Sequence, residues 1–133
     1  MNVLIVESRK ELATIWARHL ERQGCDVWVA HSQEDAIALV ERQGFQVIVL
    51  DLVLEGGSAL TVSDVANFRQ PEARVVFVTN SSFFSDGSIF RHSSNACAFL
   101  PSTTAPGDLA TMVQYYGQAN KTEPPTRRQA AAR

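Results

Sequence analysis

Residues 47 to 58 read Val-Ile-Val-Leu-Asp-Leu-Val-Leu-Glu-Gly-Gly-Ser: an unbroken apolar run, Val47 to Leu50, stops on an acid, Asp51, and gives way to Gly56, Gly57 and Ser58. So short a run, apolar throughout and β-branched, reads as a strand buried on both faces, since a strand with one wet face would alternate. Val3 to Val6, Val27 to Ala30 and Val75 to Val78 have the same character, and a fifth strand is predicted at Ala96 to Leu100. The intervening segments carry apolar residues at helical spacing: Leu12, Ile15, Trp16 and Leu20 in one, Ala36, Ile37 and Val40 in another. A third helix is predicted from Ser58 to Arg69 and a last one from about Gly107 to Gly117. This alternation implies a doubly wound, flavodoxin-like α/β domain, with a five-stranded parallel sheet, helices on both faces and right-handed crossovers.

The punctuation agrees with the periodicity. Ser32, three residues before Asp35, resembles a capping box, and Pro71 lies just past the third helix. Glu-Arg-Gln-Gly occurs at 21 to 24 and again at 41 to 44, so Gly24 and Gly44 are both expected to end helices. The segment Ser81 to Ser94 holds six serines and a central Gly87, all poor or middling helix formers, so a fourth helix there should be short, frayed or displaced. The domain is expected to span residues 1 to 117. Residues 118 to 133, polar and containing Pro124 and Pro125, read as a disordered tail.

At 133 residues, with 45% hydrophobic and 20% charged side chains, the chain suits a single domain with a real core. Its apolar runs fall far short of the roughly 20 residues a membrane span needs, and Met1 opens no signal peptide, so a cytoplasmic location is expected. Cys25 and Cys97 suit free thiols, and neither they nor the three histidines show metal-ligand spacing. Trp16 and Trp28 sit among apolar neighbours and read as packing residues. The tail is net +3, leaving 8 basic against 13 acidic residues in the rest. A body of that sign disfavours direct nucleic-acid binding.

Open α/β sheets bind ligands outside the carboxyl ends of their strands. The residues there are Glu7 and Ser8, Asp51, Thr79 and Asn80, and Pro101 and Ser102. No glycine-rich phosphate loop follows the first strand, and no G-x-S-x-G is present, which removes the common nucleotide-binding and hydrolase readings. Two carboxylates and a hydroxyl at three neighbouring strand ends remain.

Together, Val-Leu-Ile-Val-Glu-Ser (3 to 8), the segment 47 to 58, Val-Val-Phe-Val-Thr-Asn (75 to 80) and Ala-Phe-Leu-Pro-Ser (98 to 102) resemble the receiver domains of bacterial two-component response regulators. The resemblance covers residues 1 to about 117. It implies a signalling domain, not an enzyme, whose phosphoacceptor is Asp51, with Thr79 as the hydroxyl that senses the phosphoryl group and Phe99 as the aromatic switch. It also implies Mg²⁺, weakly bound by Glu7, Asp51 and the Val53 carbonyl. The implied partners are a histidine kinase or phosphotransfer protein and a downstream protein. A homodimer could form through the fourth helix, fifth strand and fifth helix, where Phe83, Phe84, Phe90 and Tyr116 fall.

The pattern also departs from that family. Ser8 replaces an acid that normally ligates the metal, and Ser102 replaces the lysine that pairs with the phosphoryl group; Arg9, Lys10 or Arg91 could partly stand in for the lost ammonium. Two functions therefore stay open: a phosphoacceptor, favoured by Asp51 and Thr79, and a pseudo-receiver that docks partners without being phosphorylated, favoured by Ser8 and Ser102.

Overall fold

Residues 1–79 and 96–122 are described in this computed structural model. They form strands β1 (Asn2–Val6), β2 (Asp26–Ala30), β3 (Val47–Asp51), β4 (Arg74–Thr79) and β5 (Ala96–Pro101). The helices are α1 (Lys10–Arg22), α2 (Gln33–Arg42), α3 (Ala59–Arg69) and α4 (Pro106–Thr122). The expected helix at Ser81 to Ser94, with its phenylalanines and Arg91, lies outside the described residues, as do Asn80 and the end of the tail.

All five strands pair in parallel, in the order β2-β1-β3-β4-β5. Successive side chains of a strand point to opposite faces, which divides the apolar runs into two cores. Leu4, Val6, Ile48, Leu50, Val75 and Phe77 face Ala36 and Val40 of α2 and Val62 and Ala66 of α3. Val3, Ile5, Val47, Val49, Val76 and Val78 face Trp16 and Leu20 of α1 and Leu109 and Val113 of α4. Each buried Val, Leu, Ile or Phe side chain among them contributes roughly 1.5–3 kcal/mol by leaving water. Trp28 packs edge-on against Phe45, with ring centroids 5.7 Å apart. Both cysteines are free, and burial pushes the Cys97 thiol up to about 11, which leaves it a packing group. None of the described helices is long and apolar enough to cross a membrane.

The two Glu-Arg-Gln-Gly endings differ. After α1, Gly24 adopts φ +90°, Cys25 N–H donates to Leu20 O at 3.1 Å and Gly24 N–H to Glu21 O at 3.0 Å, which together close the helix with a left-handed residue. After α2, the chain turns extended at Gln43, φ −134°, and Gly44 is not in the left-handed region. A Cβ would have open space at both glycines. Gly24→Ala is therefore expected to cost about 1 kcal/mol, whereas Gly44→Ala should leave stability unchanged or raise it by about 0.5 kcal/mol. Urea unfolding of the two variants checks this, and equal losses would contradict it.

Helix α4 continues past Gly117, where a helix end is expected, and runs to Thr122. Gly117 is buried within that helix, where a Cβ would meet the Met1 side chain and would lie 3.4 Å from Val47 Cγ2. Its small size serves a close approach to the start of the sheet and not a helix end.

Candidate functional site

Strands β1 and β3 lie side by side, yet the chain leaves β1 for β2 on one side and returns to β3 on the other. A crevice opens outside their carboxyl ends at such a reversal of strand order. Val6 pairs with Leu50 in the parallel register, so the residues that follow, Glu7 and Asp51, stand at the same height. The Glu7 backbone is clamped on both sides: its N–H donates to Ala30 O at 3.0 Å, and its carbonyl oxygen lies 3.0 Å from His31 Nδ1. A carbonyl can only accept, so His31 Nδ1 carries the proton. His31 thus helps to position the first carboxylate.

Both carboxylates are buried, Glu7 fully and Asp51 to within 2% of full burial. Arg9, the residue capping the N-terminus of α1, lies across them. Its Nε donates to Glu7 Oε2 at 3.2 Å, and its Nη2 reaches Glu7 Oε1 and Asp51 Oδ2, both at 3.4 Å. The Arg9 backbone N–H adds a fourth bond, to Glu7 Oε2 at 2.9 Å, and Val53 N–H donates to Asp51 Oδ1 at 2.9 Å. Burial, together with a hydrogen bond shared with Glu7 and the nearness of its charge, pushes the Asp51 carboxyl up to about 7, against the opposing pull of Val53 N–H and Arg9. The hydrogen bond to Glu7, with the charges of both acids, holds the Arg9 guanidinium more firmly protonated than usual despite some desolvation.

Glu7, Ser8, Arg9, Asp51, Val53 and Glu55 line a cleft of about 170 Å³. Ser8 is tied to its wall, since its Oγ accepts from Glu55 N–H at 2.8 Å. Thr79 and Ser102 stand at the ends of β4 and β5, joined by a 2.9 Å bond from Ser102 N–H to Thr79 O, and are not among the residues lining this cleft. Phe99 is partly buried against the α2 and α3 side of the core. Of the cations suggested for the missing ammonium, Arg9 is, among the described residues, the one seen on Asp51, and it contacts Glu7 as well.

The donors do not suit a resident Mg²⁺ as expected from Glu7, Asp51 and Val53. A hard dication wants about six oxygen ligands, whereas here a guanidinium sits on both carboxylates and the Ser8 oxygen is engaged elsewhere. Among the described residues, no group of three or more His, Cys, Asp or Glu side chains is placed to hold a metal.

A family model for the response regulator receiver domain matches residues 3–114. The photosynthetic apparatus regulatory protein RegA of Rhodobacter capsulatus is 32% identical over 78 residues, covering 59% of this chain and 42% of that protein. The chain therefore matches less than half of that relative's length. Among solved structures, a CheY-like receiver domain protein from Methanospirillum hungatei superposes with a TM-score of 0.84 at 19% identity, over 92% of this chain and 97% of that one. A Burkholderia pseudomallei response regulator, solved with a phosphorylated aspartic acid, a calcium ion and citrate, gives 0.76 at 25% identity, over 92% and 71%.

Proposed function

The chain belongs to the response regulator receiver domain family, and from that premise we propose that it accepts a phosphoryl group on Asp51 and signals through a partner protein. The observation that carries this reading is the placement of Asp51. It ends β3 at the reversal of strand order, one carboxylate oxygen on Val53 N–H and the other on Arg9, beside an open cleft. An Asp51 oxygen attacks the phosphorus of the donor, the bond from phosphorus to the leaving group breaks, and the leaving group departs with that electron pair. An acyl phosphate results. Arg9, whose Nη2 meets Asp51 Oδ2, supplies positive charge where the phosphoryl oxygens would collect.

The new group brings a charge of about −1.5 to −2 to a buried site where the Arg9 guanidinium already meets Asp51. In this reading the excess draws in hydrogen-bond donors. The Thr79 hydroxyl, one strand away, is the nearest candidate from the family pattern, and Phe99 on β5 would report the movement to the protein surface. A histidine kinase or phosphotransfer protein would supply the phosphoryl group, and a downstream protein would read the outcome. The phosphorylated aspartic acid of the Burkholderia pseudomallei neighbour supports the assignment by likeness of fold.

One observation favours the pseudo-receiver alternative: Ser8 and Ser102 stand where an acid and a lysine are usual, and Ser8 is committed to Glu55 N–H. Incubation with phosphoramidate, followed by intact-mass measurement, separates the two readings. Slow addition of one phosphoryl group is expected, lost in Asp51→Asn, and Ser102→Lys should quicken it by about tenfold by adding a charge-assisted bond. If the wild type stays unmodified while the Ser8→Asp, Ser102→Lys double variant is phosphorylated, the pseudo-receiver reading wins.

A further inference from the structure

We propose that Arg9 is the resident cation of this cleft, its guanidinium holding the place between Glu7 and Asp51 that a divalent ion would need, so that no divalent metal binds there while Arg9 is present. The first ground is the state of the carboxylate oxygens. All four are engaged by N–H donors: both Glu7 oxygens and Asp51 Oδ2 by Arg9, and Asp51 Oδ1 by Val53. A metal bridging the two acids would have to displace the guanidinium that lies between them.

The second ground is how the guanidinium is held. Arg9 lies two residues after Glu7, and its backbone N–H and side chain chelate the same carboxylate, so the cation is built into the chain and cannot diffuse away. A permanently charged group only a few ångströms from an incoming dication also repels it. The remaining oxygens do not compensate. Ser8 Oγ accepts from Glu55 N–H, and although Glu55 also lines the cleft, no group of acids converges on a metal position among the described residues.

This inference rests on the geometry of the carboxylate pair and holds whether or not Asp51 accepts a phosphoryl group. Its test is therefore a binding measurement on the full chain. Mn²⁺ is titrated into isotope-labelled protein, and paramagnetic broadening of the amide signals of residues 7–9 and 51–55 is followed. The wild type should show no selective broadening there at millimolar Mn²⁺. Arg9→Ala, whose own spectrum reports its folding, should show it at a concentration at least about tenfold lower than any effect in the wild type. Selective broadening of the wild type at submillimolar Mn²⁺ would overturn the proposal, and so would a folded Arg9→Ala that binds no better. Should Arg9→Ala not fold, Arg9→Gln takes its place with the same expected gain, and the wild-type arm stands without either variant.

Discussion

Asp51→Asn is expected to make the protein more stable at pH 8, by roughly 2 to 4 kcal/mol, or about 10 °C in Tm. In the folded chain the Asp51 carboxyl is pushed up to about 7, whereas in the unfolded chain it returns to about 3.9. Between those values the folded state keeps a proton that the unfolded state has released. Stability therefore falls as pH rises, by up to about 1.4 kcal/mol per pH unit. Below about pH 4 both states are protonated and the penalty is absent; above about pH 7 both are ionised and it is complete. Asparagine keeps the shape and can still accept from Val53 N–H, but it never ionises, and it leaves one carboxylate, Glu7, facing one guanidinium. Urea midpoints measured from pH 4 to pH 9 should converge for the two proteins at the acid end and separate toward pH 8. If Asp51→Asn were the less stable protein at pH 8, the Asp51 anion would have to be stabilised by its surroundings, and the account of a strained acid pair would fail.

The parts of this arrangement differ in how far the residues alone disclose them. The strands were legible because burial on both faces leaves nothing but apolar residues in a run such as Val47 to Leu50, and strands of that kind demand a parallel sheet with helical crossovers. The carboxylates were legible for the same reason, since a charge that ends such a run falls at the sheet edge where α/β ligands bind. Arg9 was visible only as one of three candidate cations. Its contact with both acids depends on the Val6 to Leu50 register and on the turn into α1, and neither shows in a basic residue that could equally be a solvated charge just before a helix. His31 gave no signal at all, because its partner is a backbone carbonyl 24 residues away. Gly117 misled: a glycine near the end of an apolar period looks like a helix stop, and only the packing of Met1 and Val47 beneath it shows why a side chain is missing there.

The dependence of the site on Arg9 can be measured without any ligand. Arg9→Ala leaves Glu7 and Asp51 buried together with no guanidinium between them, and removing one member of a buried charge group costs about 3–5 kcal/mol where the group is fully enclosed. The Arg9 side chain is 49% exposed, so water screens part of its contribution, and about 2 kcal/mol at pH 8 is the expected loss. The loss should shrink as pH falls, because protonating Asp51 relieves the same repulsion that Arg9 relieves. It should shrink equally in the Asp51→Asn background, where a single carboxylate remains to be neutralised, to below about 1 kcal/mol. A double-mutant cycle at pH 8 and pH 5 reads both effects. Coupling between Arg9 and Asp51 that is present at pH 8 and much reduced at pH 5 means that the arginine acts on the charge of the acid. Losses that add at both pH values would mean that Arg9 contributes only its packing at the start of α1 and is not a cation that Asp51 could share with an incoming phosphoryl group.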